Sequence, residues 1–190
     1  MDKKDFILAS ASPQRRLLLE QINMCPKMIV PADIDESCLL RETPTAYVKR
    51  MALLKAKRVA ELYPDENILA SDTSVVVGRK ILHKSANAQE QTEVMRLISG
   101  KSNRVISAVC LISKHGKVMQ RCITSRVVTK KLSEEEIKNY VATNEWVGCC
   151  GYKIEGCYAG MVRKIIGSYT GIVGLPLFET QNLLNGIGIK

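Results

Sequence analysis

The chain predicts an α/β fold, a mixed twisted sheet with flanking helices, as one ordinary domain or as one domain with two lobes around a central cleft. Three observations predict it. Strand-like apolar runs alternate with capped helical segments. Two long strand-like runs are joined by a hairpin signal, which an all-parallel sheet would lack. The 190 residues suit one domain, 1–190, large enough for two lobes. Apolar residues at 46% and charged residues at 25% are the balance of a globular protein with a sizeable core.

In chain order, Phe6 to Ala9 reads as a short buried strand. Ser12 and Pro13 supply an N-cap and a proline at the first helical position, opening a helix through Gln21. Met28 to Val30 is strand-like. Thr43 and Pro44 repeat that start signal before a long helix to about Leu62, which sets Val48, Met51, Ala52, Lys55 and Val59 on neighbouring faces. Ile68 to Ala70 and Ser74 to Val77 read as strands flanking Ser71, Asp72 and Thr73. Asn87 caps a helix from Ala88 to Ile98, which Gly100 ends. Arg104 to Ser113 and Val118 to Lys130 are strands joined by a turn at 114–117. Ser133 and Glu136 form a capping box for a helix reaching about Ala142. Met161 to Ile166 is a strand, and Leu175 and Pro176 open a last helix that stops near Gly186.

The net charge of +9 suits either an anionic partner or a solvated lysine-rich surface. The basic residues are scattered and aromatics are only 5%, so a stacking platform is disfavoured and nucleic acid is not the expected partner. The apolar run near the start is too short for a secretory signal. No stretch approaches the roughly 18 apolar residues of a membrane span. A cytoplasmic protein without membrane association is therefore expected. Seven cysteines, an odd number with no C-x-x-C, read as free thiols in a reducing compartment. Zinc at Cys149, Cys150 and Cys157 is disfavoured, because His83 and His115 lie far away in sequence.

The chain has no phosphate loop, dinucleotide fingerprint, zinc-protease motif or nucleophile elbow. Carboxylates, lysines and arginines remain, and these suit metal-assisted phosphate chemistry. At Ser10 to Arg16 a strand end runs into a helix start, which is either an anion site or an ordinary helix entry. Arg15 and Arg16 in the first turn oppose the helix dipole, and a bound phosphate would resolve that conflict. Asp33, Asp35 and Glu36 form either a site for a hard cation or a solvated turn. Asp72 at the end of a buried strand is costly unless paired or bound to metal; Lys55 and Lys84 are the cations that could meet it. The glycine-rich stretches 148–156 and 167–176 read as a folded loop lining a cleft or as two tight turns.

In this order the segments resemble the Maf family, related in fold to the inosine-triphosphate pyrophosphatases. The resemblance runs from Leu8 to about Leu184. It rests on Leu8 to Arg15, Asp33 to Glu36, Leu54 to Ala56, Ser71 to Thr73, Leu82 to Lys84, Leu97 to Lys101, Tyr152 to Gly156, and Gly167 to Tyr169 with Val173 to Pro176. It implies a nucleoside triphosphate pyrophosphatase, a hydrolase that releases nucleoside monophosphate and pyrophosphate and clears nonstandard or modified nucleotides. It implies two lobes around a central cleft, a divalent cation, Mg²⁺ or Mn²⁺, and often a homodimer. By position, Asp72 looks like the proton acceptor, and Glu36 and Asp72 like metal-associated acids. Ser10, Arg15, Lys55 and Lys84 look like the triphosphate-facing set. Gln14, Thr73 and Glu155 fall where members vary with the base they accept.

This chain departs from the family pattern at three places. Gln14 and Arg15 stand where the family carries two basic residues. The loop before Tyr152 is about one residue short, with Cys149 near a position that many members fill with lysine. Glu155 replaces glutamine. A carboxylate only accepts hydrogen bonds, which suits the N1–H and N2–H₂ donors of guanine or 7-methylguanine. Thr73 instead resembles the branch acting on UTP and dTTP. The reading leans towards guanine. The competing class is a non-catalytic regulator of cell division, or a nucleic-acid binder, on the same fold.

Overall fold

A computed structural model describes residues 2–190. Its centre is a seven-stranded mixed sheet. The strands are β1 (Lys3–Leu8), β2 (Cys25–Ile29), β3 (Ile68–Val77), β4 (Lys80–Leu82), β5 (Ser102–Ile112), β6 (Val118–Thr129) and β7 (Val162–Ile166). They run in the order β2-β1-β3-β5-β6-β7, and β4 folds back on β3. β1 is parallel to both β2 and β3, and the remaining pairings are antiparallel. The hairpin at 114–117 is the β5–β6 connection.

Alternation along the strands distributes the core. Ile7, Ile68, Ala70, Ile106 and Ala108 face α2 (Pro44–Leu62), which buries Val48, Met51, Ala52, Ala56 and Val59 against them. Their neighbours Phe6, Leu8, Leu69, Val109 and Leu111 face the opposite side. There α1 (Pro13–Gln21) and α6 (Leu177–Asn185) supply Leu18, Leu19, Leu183 and Leu184. Each such burial is worth about 1.5–3 kcal/mol against exposure.

The second lobe has its own core. α3 (Ala88–Ile98), α4 (Glu134–Ala142) and the chain at 146–158 close over Val75, Leu82, Val105 and Val127. Tyr152 stacks on Tyr158 with ring centroids 4.0 Å apart. Their hydroxyls are satisfied by Asn103 Oδ1 at 2.7 Å and Thr129 Oγ1 at 2.6 Å, so both aromatic rings stay inside without an orphaned polar tip. The cleft lies between the lobes, with Arg15 and Glu36 on one wall and Cys149 and Lys153 on the other.

Local start signals hold where the hydrogen-bond partner is three residues away. The Thr43, Asn87 and Ser133 side chains cap their helices, and Ser133 with Glu136 completes the capping box. Ser12 differs. Its side chain makes no cap bond and donates instead to Gln14 Oε1 at 3.3 Å. The two strands expected around Asp72 are one continuous strand, β3. Its polar centre is stabilised by the ladder to β5 and by Ser71 Oγ donating to Ala108 O at 2.9 Å. Three short elements were not anticipated: β4 (Lys80–Leu82), α5 (Tyr169–Val173) and a 3-10 turn (Cys157–Met161). Among the described residues no helix is long and apolar enough to cross a membrane.

Candidate active site

Asp72 sits in mid-strand rather than at a strand end, directly opposite Ala108 of β5. Three residues of separate elements converge on one ammonium group. Lys55 Nζ of α2 lies 2.7 Å from Asp72 Oδ1 and 2.7 Å from Glu36 Oε1. Glu36 belongs to the chain between β2 and α2, and Tyr47 of α2 holds it in place by donating to the Glu36 carbonyl at 2.9 Å. Tyr47 and Lys55 lie two turns apart on one stripe of α2. That spacing is the sequence signal for Tyr47.

The pair is unequal in exposure. The Asp72 side chain is 11% exposed and that of Glu36 51%. Burial pushes the Asp72 carboxyl above its ordinary value, and the charges of Lys55 and Arg15 only partly oppose this. Burial acts on Glu36 in the same direction. There it is outweighed by the Lys55 hydrogen bond and the charges of Lys55, Lys84 and Arg15, so Glu36 lies below its ordinary value.

Arg15 and Arg16 diverge in the first helical turn. The Arg15 Nε donates to Gly174 O at 2.9 Å and its Nη1 to Ser10 Oγ at 3.0 Å. Arg16 pairs with Glu20 and faces away. The buried Ser10 hydroxyl also accepts from Ser12 N–H. Gly174, with φ at +140°, adopts a conformation that side chains rarely tolerate. Its carbonyl receives Arg15, Ser71 Oγ at 3.0 Å and Thr73 Oγ1 at 3.3 Å. Ser107 Oγ donates to Gly171 O at 2.6 Å, which seats α5 on the sheet.

Two adjoining cavities, of about 400 and 540 Å³, occupy the cleft. Arg15, Lys55, Lys84, Glu36, Gln14 and Cys149 border both. Ser10 borders only the larger one; Asp72, Thr73 and Glu155 border only the smaller. The expected catalytic, metal, substrate-binding and specificity residues therefore all reach the cleft, whereas Arg16, Asp33 and Asp35 do not border it. The Thr73 hydroxyl is engaged with Ser107 and Gly174, so it acts on the wall as well as on the cavity. The acidic cluster divides: Asp35 accepts from the N–H and hydroxyl of Ser37 and closes its own turn, and Glu36 alone reaches Lys55. Lys84 is exposed, with its backbone paired to Cys150, whose thiol burial pushes up to about 11. Lys153 borders both cavities and was not singled out.

Among the described residues no group of three or more histidine, cysteine or acidic side chains is placed to hold a metal ion. Asp72 and Glu36 share one ammonium, so their nearest oxygens are no farther apart than the sum of two hydrogen-bond lengths. Two neighbouring carboxylates are the donor chemistry that Mg²⁺ commonly takes, with phosphate oxygens and water completing its shell.

The family described as Maf-like protein matches this chain over residues 5–187. The chain is 46% identical to the dTTP/UTP pyrophosphatase of Mesorhizobium japonicum, over 97% of this chain and 92% of that protein. It is 42% identical to the dTTP/UTP pyrophosphatase of Caulobacter vibrioides, over 97% and 96% of the two chains. With the protein of that name from Paramagnetospirillum magneticum the identity is 44%, over 96% and 97%.

Proposed function

The chain belongs to the Maf-like family, and on that premise we propose that it is a nucleoside triphosphate pyrophosphatase acting in the cytoplasm on UTP and dTTP. The reaction cleaves the α–β phosphoanhydride and releases nucleoside monophosphate and pyrophosphate. The observation that carries the site is the convergence of Asp72 and Glu36 on Lys55 in a cleft that also holds Arg15 and Lys84.

Asp72 accepts the proton of the water that attacks the α-phosphorus. Its raised pKa makes it a better base than an exposed aspartate. Lys55 holds the two carboxylates in register. Arg15 and Lys84 offset the negative charge on the phosphates and on the departing pyrophosphate, so most of the rate enhancement is positioning and electrostatic. Asp72 and Glu36 would hold the divalent cation, which supplies charge neutralisation and Lewis acidity at the phosphates.

The base is read by Glu155 and Gln14 at the cleft edge. A carboxylate accepts the N3–H of uracil or thymine and leaves O4 without a donor. Guanine, with two donors on that edge, is a second reading that Glu155 alone favours. The relatives' names favour the pyrimidine. Incubation with Mg²⁺ and a panel of nucleoside triphosphates, followed by product analysis, tests the proposal. Monophosphate and pyrophosphate are expected, with UTP and dTTP turned over fastest. Orthophosphate as the product would indicate a phosphatase. Salt-sensitive DNA binding without turnover would indicate a nucleic-acid binder.

A further inference from the structure

The loop wall of the cleft carries a cation that the reaction above leaves without a task. Tyr152, Lys153, Ile154 and Glu155 alternate in burial. Tyr152 and Ile154 are 6% and 4% exposed and packed into the second lobe, Lys153 is half-buried and Glu155 exposed, and all four border the cleft. The backbone here is pinned. Lys153 N–H donates to the Tyr140 hydroxyl at 3.1 Å, Gly156 N–H donates to Lys153 O at 3.2 Å, and Tyr152 is stacked on Tyr158. Burial pushes Tyr140 up to about 12, so its oxygen remains a neutral acceptor for that bond. The Lys153 stem therefore starts from a pinned backbone, and the half-buried residue lines both cavities between the lobes.

The four cations bordering both cavities are not equivalent. The Lys55 ammonium is taken by Asp72 and Glu36, and Arg15 by Gly174 O and Ser10 Oγ. The ammonium groups of Lys84 and Lys153 have no hydrogen-bond or ion-pair partner among the described residues. Both border the same two cavities. Two unpartnered like charges at one cleft are unfavourable unless an anion is bound between them. Lys153 borders the cavity of Ser10 and the α1 start as well as that of Glu155, so it stands where a phosphate chain would run between them.

We propose that Lys153 is a substrate-binding residue that, opposite Arg15 and together with Lys84, grips the polyphosphate from the loop wall of the cleft. This rests on the pyrophosphatase reading for its substrate, but not for its anion. The test uses the full chain with Lys153→Met, which keeps the stem and removes the charge, and Lys153→Arg, which restores it. Each variant is checked by thermal melting and circular dichroism. Steady-state kinetics are measured for UTP and dTTP, and calorimetric titrations use inorganic pyrophosphate, inorganic tripolyphosphate and UMP.

Lys153→Met is expected to raise KM and the dissociation constants of pyrophosphate and tripolyphosphate about tenfold, as for the loss of one charge-assisted contact. UMP binding should change less than threefold, and Lys153→Arg should recover most of the loss. A folded Lys153→Met protein that binds pyrophosphate and tripolyphosphate as the parent does overturns the inference. So does an equal loss for UMP and tripolyphosphate, which would mark a general role in shaping the loop. If the parent turns over no triphosphate, the pyrophosphatase reading fails, and the pyrophosphate titration still decides Lys153 by the same criterion.

Discussion

The two walls of the cleft are built on opposite principles. On the sheet wall, Lys55, Asp72 and Glu36 satisfy one another, and the Asp72 and Lys55 side chains are only 11% and 12% exposed. On the loop wall, the backbones of Lys84 and Lys153 are pinned, and the charges of Lys84, Lys153 and Glu155 have no hydrogen-bond or ion-pair partner among the described residues. Paired and buried charges hold a geometry, which is what a reacting centre requires. Unpaired charges at a cleft edge are held open for a ligand. Changes in the first wall should therefore alter rate and stability, and changes in the second should alter affinity and base choice.

The largest break expected is Asp72→Asn. It should lower kcat about 10²–10⁴-fold with KM nearly unchanged, as for loss of a general base. Full turnover in a folded Asp72→Asn protein would remove Asp72 from the mechanism. Next is Lys55→Met, which leaves the Asp72 carboxylate buried without its partner. Chemical denaturation should show a loss of about 3–5 kcal/mol, the usual consequence of breaking a buried pair from one side. A loss below 1 kcal/mol would mean that water already reaches Asp72.

The pH profile sharpens the same contrast. Asp72 must be ionised to act, and its pKa is raised, so kcat/KM should fall as pH drops through a value above the ordinary aspartate range. Glu36 is lowered and stays ionised through that window. Lys55 pulls Asp72 down, so Lys55→Met should move the acid limb to higher pH in whatever activity remains. An unmoved limb would assign it to another group. On the loop wall, Lys84→Met should raise KM about tenfold with a small change in kcat. The smallest effect is Glu155→Gln. It should shift kcat/KM ratios further towards UTP and dTTP over GTP by several-fold, since an amide can both donate to O4 and accept from N3–H. Identical ratios across the base panel would exclude Glu155 from base reading.

Helix boundaries were legible because their determinants are local. Thr43, Asn87 and Ser133 find their partners three residues on, in the same turn. Ser12 looks the same in sequence but has an alternative partner in Gln14, and only the folded chain shows which it takes. β3 was read as two strands because Ser71, Asp72 and Thr73 interrupt an apolar run. Each is satisfied from a distant element: Ala108 and Gly174 for Ser71, Lys55 for Asp72, Ser107 for Thr73. α5 was hidden by glycines at 171 and 174, and it is held by Ser107 and Ser168, one of them more than sixty positions away.

By itself the amino-acid order determined the mixed α/β class, the capped helices and the residue types suited to phosphate and metal chemistry, because propensity, periodicity and capping act over a few residues. Tertiary structure alone decided that Glu36 joins Asp72 on Lys55, that Asp35 turns away, that Thr73 braces Gly174, and that Lys153 stands at the cleft. Those outcomes depend on contacts between elements far apart in the chain, where burial and opposite charge, rather than local conformation, choose the partner.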